Sequence, residues 1–327
     1  MNYQKHLKVR VFIAAIALCG ANVLAQEPSA TQTPDVKNPE EPATAAATRS
    51  EHTENERALP DVQSRTVALL KSQYPADDLQ ELSANGESFN ALWRKDQSGD
   101  AFGAVLLVPA DGQTANWPHT IDVLRTELPR TGWGTLSIDI KQRKRDKVPS
   151  RPNSAEPQAP STNPPSDTGG PNDNHARIEA AIEFLHSEGQ YNIILAGYGN
   201  SAHRIVEYTA SQQNPQNRTT GASLSPATRA IIVINGKSYG GGSLAPALSS
   251  INNRSMPIQD IVFGQHHLDL ADADIRRSES RSLRFKKYFQ LRIMEPSSTI
   301  FGEENRLSRR VRGFLSKHAK GVEINRR

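Results

Sequence analysis

Residues 176–202 read ARIEAAIEFLHSEGQYNIILAGYGNSA and decide the fold class. Ile178 and Ile182 recur at helical spacing, whereas 193–196 is an uninterrupted apolar run that is typical of a strand covered on both faces. A glycine-containing turn at 197–201 then leads into a second helical pattern. Helix, buried strand, tight turn and helix in succession predict one unit of a parallel sheet.

The same alternation continues on both sides of this unit. A hairpin over 79–95, turning at Asn85-Gly86, precedes the first uninterrupted apolar strand. We therefore predict an α/β fold with a doubly wound, mostly parallel sheet. The predicted strands are 104–108, 134–140, 192–196, 229–234, 257–263 and 288–294, and the predicted helices are 62–73, 119–130, 175–188, 201–212, 270–284 and 303–319.

The N-terminus has the pattern of an export signal. Three cations, Lys5, Lys8 and Arg10, precede an apolar run that ends at Ala25. A run of about 15 apolar residues is shorter than a bilayer span. We therefore expect a signal peptide over 1–25 and a periplasmic or secreted protein. The alternatives are a retained signal anchor and a lipoprotein attached at Cys19, which lacks the small preceding residue that this pathway needs.

Two segments are too polar to form part of a core. Residues 26–57 are rich in Pro, Thr, Ala and Glu, and 143–173 is rich in Pro, Ser and Asn. Segments of this composition bury too little apolar surface to offset their ordering entropy. We predict a disordered leader over 26–57 and one domain over 58–327 that contains a disordered insertion over 143–173. The insertion is either a lid over the strand ends or without a role.

Composition excludes several function classes. Cys19 is the only cysteine and lies in the predicted signal, so neither a disulfide nor a cysteine-based metal site or nucleophile is expected. Residues 276–327 hold fifteen Lys or Arg and five Asp or Glu. This basic end is either a solvated helix face or a peripheral contact for anionic lipid. Little aromatic interleaving is present, so no nucleic-acid partner is expected. No cofactor is expected either.

The turn after the 192–196 strand has the spacing of a nucleophile elbow, the corner that carries the catalytic serine of α/β-hydrolases as Gly-x-Ser-x-Gly. Its five positions hold Gly197, Tyr198, Gly199, Asn200 and Ser201, so glycine stands where that serine is expected. Ser201 lies in the first helical turn, where we favour helix capping, as for Asn200, over a nucleophilic role. A third reading is an anion held at the helix N-terminus.

Longer stretches carry a family resemblance. They are GAVLLVPADGQTANWPHTIDVLRTELPRTGWGTLSIDI at 103–140, the segment 176–202, PIQDIVFG at 257–264 and RRVRGFLSKHAKG at 309–321. In this order they resemble an uncharacterised Gram-negative envelope family, domain of unknown function 3530, which is grouped with the α/β-hydrolases. The resemblance implies a sheet of α/β-hydrolase type and an envelope setting. It implies no substrate.

A working triad also needs an acid after a later strand and a histidine after the last one. Asp260 lies inside its strand, so Asp269 is the candidate acid, with Asp272 as an alternative. Residues 295–302 follow the last predicted strand and contain no histidine. His266 and His267 precede the candidate acid and are the substitute bases, although adjacent histidines are more often simply exposed.

Three further expectations concern neighbouring groups. A metal at the cluster of His266, His267 and the nearby aspartates is not expected, because adjacent histidines rarely reach one ion. His203 is expected to pack or to lie at the surface, and His318, the nearest histidine after the last strand, is expected deep in the terminal helix. Asp111, Gly112 and Gln113 occupy the loop that supplies an oxyanion donor in hydrolases. They either have that role or only form the turn, with Trp117 packed over the loop and Pro118 at the start of the next helix.

These patterns leave three functional hypotheses. The leading one is a degenerate hydrolase that binds a small molecule or an envelope component, without turnover by a serine triad, through Asp111, Gly112, Gln113 and the turn 197–200. The second is an active esterase that uses Ser201 with His266 or His267, and with Asp269 as the acid. The third is an envelope interaction protein that uses its charged ends as contact surfaces.

Overall fold

Several strands are buried along their whole length, and one of them is the uninterrupted apolar run at 104–108, as its sequence predicts. In the computed structural model, β3 (Gly103–Val108), β4 (Trp133–Ile138) and β7 (Ile258–Phe263) are buried at every position. The structure describes residues 62–75, 77–141, 171–214, 228–239, 242–264, 266–294 and 304–320. The predicted signal peptide, the leader and residues 143–170 of the predicted insertion lie outside these residues.

The described residues form one eight-stranded sheet in the order β1-β2-β4-β3-β5-β6-β7-β8. β2 pairs antiparallel with both β1 and β4, and the other neighbours pair in parallel. The predicted doubly wound, mostly parallel sheet of α/β-hydrolase type is therefore confirmed. The other strands are β1 (Leu79–Ala84), β2 (Glu87–Arg94), β5 (Ile193–Tyr198), β6 (Thr228–Ile234) and β8 (Tyr288–Ile293).

Helices cover both faces of the sheet. One apolar cluster joins the sheet to α3 (Pro171–Ser187), α4 (Ser201–Gln213) and α5 (Ala245–Leu248). A second cluster joins the opposite face to α2 (Ile121–Glu127) and α7 (Arg306–His318). The remaining helices are α1 (Val62–Gln73) and α6 (His267–Ser282). The carboxyl ends of the parallel strands, where ligands bind in open α/β sheets, meet at one edge.

Most differences from the predicted boundaries have a local cause. The predicted helix 119–130 is shorter, because His119 has a φ of +61° and Pro129 turns the end of α2 into a 3₁₀ helix over Leu128–Thr131. Pro118 therefore does not begin the helix. α3 begins at Pro171 rather than 175, since proline suits a first helical turn. Residues 171–173 were thus wrongly placed in the insertion.

The other shifted boundaries lie at the strand ends. β5 continues to Tyr198, so Gly197 and Tyr198 belong to the strand, and the turn itself is reduced to Gly199 and Asn200. α6 begins at His267, three residues before the predicted start, and takes His266 as its N-cap residue. Among the described helices, none combines the length and hydropathy that a membrane crossing requires.

An ion pair is buried between β7 and α6. Arg276 Nε and Nη2 donate to the two carboxylate oxygens of Asp260 at 2.9 and 3.0 Å. Tyr288 Oη and Gln290 Nε2 donate to the same carboxylate at 2.6 and 2.8 Å. Asp272, the alternative candidate acid, lies in the second turn of α6 and accepts from Arg276. These contacts give Asp260 a structural role within its strand.

Candidate functional site at the strand ends

Gly199 forms the corner between β5 and α4. Its φ of +59° is in the left-handed region that favours glycine, and its amide donates to Ile234 O at 3.0 Å. Its carbonyl accepts from Ala202 N at 3.2 Å and from Lys237 N at 2.9 Å. These bonds fix the corner against both the helix and the loop that follows β6.

The flanking positions of the corner allow strand and helix to approach closely. A Cβ at Gly197 would lie 2.7 Å from Ser201 O and 2.8 Å from Ala202 Cα, so no larger residue fits there without a shift. Ser201 is fully buried in the first turn of α4. Its hydroxyl donates to Pro109 O and accepts from Arg204 Nη1 at 3.1 Å. The hydroxyl therefore faces the protein interior.

Neither predicted cap is made. Asn200 is the N-cap residue of α4 but has no capping bond from its side chain, and its backbone is helical rather than extended. The Asn200 amide instead bridges to the loop after β3, where Oδ1 accepts from Asp111 N at 2.9 Å and Nδ2 donates to Asp111 Oδ2. The capping interpretation of Asn200 and Ser201 was wrong because the neighbouring loop supplies better partners.

Arg204 completes this contact and has no counterpart among the predicted site residues. Its guanidinium is fully buried, and Nη2 lies 2.6 Å from Asp111 Oδ1. The guanidinium also lies over the Tyr239 ring, 5.2 Å from its centroid. A cation in the second turn of α4 gives no sequence signal of its own, since most such residues lie on a solvated face.

The loop after β3 is closed by its own side chains. Ala110 N donates to Gln113 Oε1 at 3.2 Å, and Asp111 N is held by Asn200. Gly112 has a φ of +79°, which fits the tight turn. Hydrolases aim an amide of this loop at the developing oxyanion. Here both amides already have protein acceptors, so a substrate oxygen would have to displace a side chain.

The space above Gly199 is also occupied. A Cβ at this position would lie 2.9 Å from the Ala110 side chain, which is closer than ordinary packing. Tyr198, the last residue of β5, is half-buried, and burial raises the pKa of its hydroxyl despite a hydrogen bond to Gln113. The corner and the loop after β3 therefore interlock without leaving room for a nucleophilic side chain at position 199.

Asp269, the candidate acid, lies near the strand ends, but its partner is a lysine rather than a histidine. Its carboxylate lies 3.3 Å from Lys237 Nζ and accepts from Asn235 Nδ2 at 3.4 Å. His266 and His267 are exposed at the start of α6, and the described contacts give their side chains no partner. The structure thus brings Asp269 to the loop after β6, but it joins neither histidine to Asp269 or to Ser201.

No group of three or more His, Cys, Asp or Glu side chains is arranged to hold a metal within the described ranges. Asp274, one of the clustered aspartates, pairs with Arg277 at 3.6 Å on the outside of α6. His318 stacks on Phe289 with ring centroids 4.3 Å apart, as a packing residue. His203, expected to pack or to lie at the surface, packs against the Tyr239 ring and also bonds to Ser238 and Glu207.

Comparisons with known proteins agree with this architecture. Residues 8–317 match the family described as "Protein of unknown function (DUF3530)", and the chain belongs to this family. A comparison with curated proteins gives no match. The fold is that of the α/β-hydrolases, as the order of the eight strands and the likeness to a solved structure at a TM-score of 0.50 indicate.

Three of the similar solved structures show the levels of identity and coverage that are found. A protein from Lactobacillus plantarum, assigned as a carboxylesterase, is 12% identical with a TM-score of 0.50, and the match covers 73% of this chain and 97% of that one. A dienelactone hydrolase from Anabaena variabilis is 16% identical with a TM-score of 0.48, covering 74% and 99%. An esterase from Pyrococcus furiosus is 11% identical with a TM-score of 0.49, covering 74% and 90%. At these identities the likeness concerns the fold.

Proposed function

We propose that this chain is an exported α/β-hydrolase-like protein, periplasmic or secreted, that binds a small molecule or an envelope component at its strand ends without turnover by the elbow triad. The observation that carries the proposal is the corner itself. Gly199 has no nucleophilic group, and the Ser201 hydroxyl is buried against Pro109 O and Arg204. Loss of the nucleophile alone removes most of the rate enhancement that a triad supplies.

The loop after β3 supports the same function. Its amides are bound by Gln113 and Asn200, and a net hydrogen bond contributes about 1 kcal/mol that an oxyanion would have to replace. The elbow pairing of Ser201 with His266 or His267 gains no support, because the serine faces inward while the two histidines are exposed on α6. These contacts therefore favour a protein that binds its ligand without catalytic turnover at the elbow.

The edge still offers groups for a ligand. Lys237 Nζ is partly exposed beside Asp269, and Tyr198 is half-buried and interacts electrostatically with Asp269. An ammonium and a phenol are suited to a carbonyl or carboxylate oxygen, which accepts from both. We expect a carboxylate or amide ligand to lie against these three residues.

A covalent probe tests the elbow. The purified mature protein is treated with a fluorophosphonate, and adducts are located by peptide mass mapping. The expected result is no adduct on Ser201, and the Ser201→Ala variant gives the same adduct pattern as the wild type. An adduct on Ser201 would overturn the proposal, because it would show that the buried hydroxyl is an active nucleophile.

Binding is tested separately with a panel of carboxylic amides and carboxylates, followed by thermal unfolding. At least one compound is expected to raise Tm, and the rise should disappear in Lys237→Ala. Lys286→Ala, at an exposed position in the turn before β8, serves as the control that keeps the rise. If no compound shifts Tm, the ligand-binding part of the proposal fails.

A peripheral lipid contact is the second candidate, favoured by the outer face of α7. Arg306, Arg309, Arg310 and Lys317 are exposed on this face, while Leu307 and Leu315 are buried against the sheet. Retention on vesicles of anionic lipid should fall with salt and in an Arg306→Glu, Arg310→Glu variant. Equal retention on neutral vesicles would exclude an electrostatic contact.

A further inference from the structure

A second set of polar side chains lies beside the corner, on α4 and on the loop after β6. Ser238 Oγ lies 2.8 Å from His203 Nδ1, and His203 Nε2 lies 2.9 Å from Glu207 Oε1. His203 and Glu207 are one turn apart on α4. A serine, an imidazole and a carboxylate are thus joined in one hydrogen-bonded chain, which has the residue types and the order of a catalytic triad.

The chain lies next to the elbow. Lys237, which precedes Ser238, donates its amide to Gly199 O at 2.9 Å. Ser238 N donates to Gly242 O at 2.9 Å, which fixes the backbone at the serine. Ser238 therefore follows β6 at the edge where its carboxyl end meets that of β5, and the residue is half-buried rather than enclosed.

The bonds of Glu207 select the tautomer that a nucleophilic serine needs. Burial would raise the pKa of Glu207, but hydrogen bonds from His203 and Tyr239 outweigh it and lower that pKa, so the group is a carboxylate at neutral pH. A carboxylate only accepts, which places the imidazole proton on Nε2. Nδ1 is left with its lone pair directed at the Ser238 hydroxyl.

Tyr239 holds the imidazole and the carboxylate in place. Its hydroxyl donates to Glu207 Oε2 at 3.1 Å, and its ring lies 4.4 Å from the His203 ring. The Arg204 guanidinium lies on the same Tyr239 ring. His175, from α3, interacts electrostatically with Glu207. Burial lowers the pKa of His175. Glu207 is consequently held by its neighbours rather than free to rotate into solvent.

We propose that Ser238 is a nucleophile toward carboxylic esters, with His203 as its general base and Glu207 as the positioning residue. The inference goes beyond the proposed function: the elbow remains without a nucleophile, and the reaction takes place one loop away. It assigns chemistry to residues that the conventional elbow triad does not include.

The reaction balances within these groups. Ser238 Oγ forms a bond to the acyl carbon while its proton passes to His203 Nδ1, and Glu207 stabilises the imidazolium through Nε2. The bond from the acyl carbon to the alcohol oxygen then breaks, and that oxygen takes the proton from Nδ1. Water repeats the two steps on the acyl-serine, releasing the acid and restoring the hydroxyl.

The test uses the full mature chain and the fluorophosphonate probe described above. Displacement of fluoride by an activated serine leaves a phosphonyl adduct, which peptide mapping places on one residue. We expect the wild type to carry it on Ser238 and Ser238→Ala to carry none. Ser211→Ala is the matched control, because this serine lies on α4 and bonds to Tyr208 O within its own helix.

The rate of labelling tests the other two roles. His203→Gln should slow labelling by about 100-fold, as expected for loss of a general base. Glu207→Gln should slow it by at least about tenfold and move the acid limb of the pH profile to lower pH, because the histidine loses its anionic neighbour. A purely structural Glu207 would leave that limb in place. Thermal melts of each variant report folding.

The outcomes separate this inference from the proposed function. An adduct on Ser238 supports the inference and leaves the loss of the elbow nucleophile standing. An adduct on Ser201 alone overturns both. A wild-type protein that takes no adduct overturns the inference, whatever the variants do, and agrees with binding without turnover.

Discussion

Arg204 Nη2 lies 2.6 Å from Asp111 Oδ1 and ties the second turn of α4 to the loop after β3. The arginine side chain is 2% exposed, whereas the aspartate is 24% exposed. The two residues of the pair therefore differ in how well water can solvate them when the partner is removed. Without the aspartate, the arginine is a buried cation, whereas without the arginine the carboxylate still contacts water. The pair fixes the loop after β3 beside the corner, where Asn200 also accepts from the Asp111 amide.

The first prediction follows from that asymmetry. Asp111→Ala should lower the free energy of unfolding by about 3 kcal/mol, because the Arg204 guanidinium stays buried without its counterion. Asp274→Ala removes the exposed partner of Arg277 and should change stability by less than about 0.5 kcal/mol. Urea unfolding of both variants measures the difference. Equal, small effects would mean that the Asp111–Arg204 pair does not stabilise the fold.

The local sequence pattern was sufficient to predict the sheet, but it did not predict the exact ends of its strands and helices. The run at 104–108 is apolar throughout and is buried throughout, so composition and contacts point the same way. The end of α2 depends on Pro129, whose missing amide favours the tighter 3₁₀ turn. Glycine in a GxSxG-like pattern wrongly suggested a longer turn, because Gly197 and Tyr198 still pair with Val233 and Ile234 as part of β5.

The candidate site was only partly visible in the sequence. Gly199 could be identified because the elbow is a local pattern of five residues. The partners of the corner could not, since Asp111 and Arg204 are 93 positions apart. His203 and Glu207 have the spacing of a helical side-chain pair, which is a signal that sequence alone offers. The contact with Ser238 depends on how the loop after β6 returns to α4, and no local pattern encodes it.

The second prediction concerns the buried pair of β7 and α6. Asp260→Ala should lower the free energy of unfolding by about 4 kcal/mol, because Arg276 is then a buried charge with one carboxylate fewer. The double variant Asp260→Leu, Arg276→Met removes both charges and should recover at least half of that loss. Urea unfolding of the two variants measures the loss in the free energy of unfolding and its recovery. A double variant no more stable than the single one would contradict a dominant electrostatic cause.

The third prediction is a pH dependence of stability. Burial raises the pKa of Asp139 from 3.8 to about 6, against the lowering effects of the Ala115 amide and of Arg177. The folded protein thus binds more protons than the unfolded chain between about pH 4 and pH 6. Its free energy of unfolding should fall by about 3 kcal/mol as pH rises through that window.

Asp139→Asn tests this effect, because the amide is neutral at every pH and its oxygen can still accept from Ala115 N, now at 3.0 Å from Asp139 Oδ1. The variant should lose the slope in that window and should be more stable than the wild type at pH 7.5. Asp100→Asn, at an exposed position, should leave the curve unchanged. Melts at matched pH values compare the three proteins, and a retained slope in Asp139→Asn would assign it to another group.

The last prediction compares two glycines on which the same substitution has opposite effects. Gly197→Ala places a methyl group 2.7 Å from Ser201 O and should lower the free energy of unfolding by about 1–3 kcal/mol, because strand and helix must separate. Gly313→Ala lies inside α7 with nothing within 4 Å of its new Cβ, and should raise it by about 0.5–1 kcal/mol through helix propensity. Thermal and urea unfolding report both signs. A tolerated methyl at 197 would show that the close approach of β5 and α4 is not required, and the reason for glycine at the first elbow position would have to lie elsewhere.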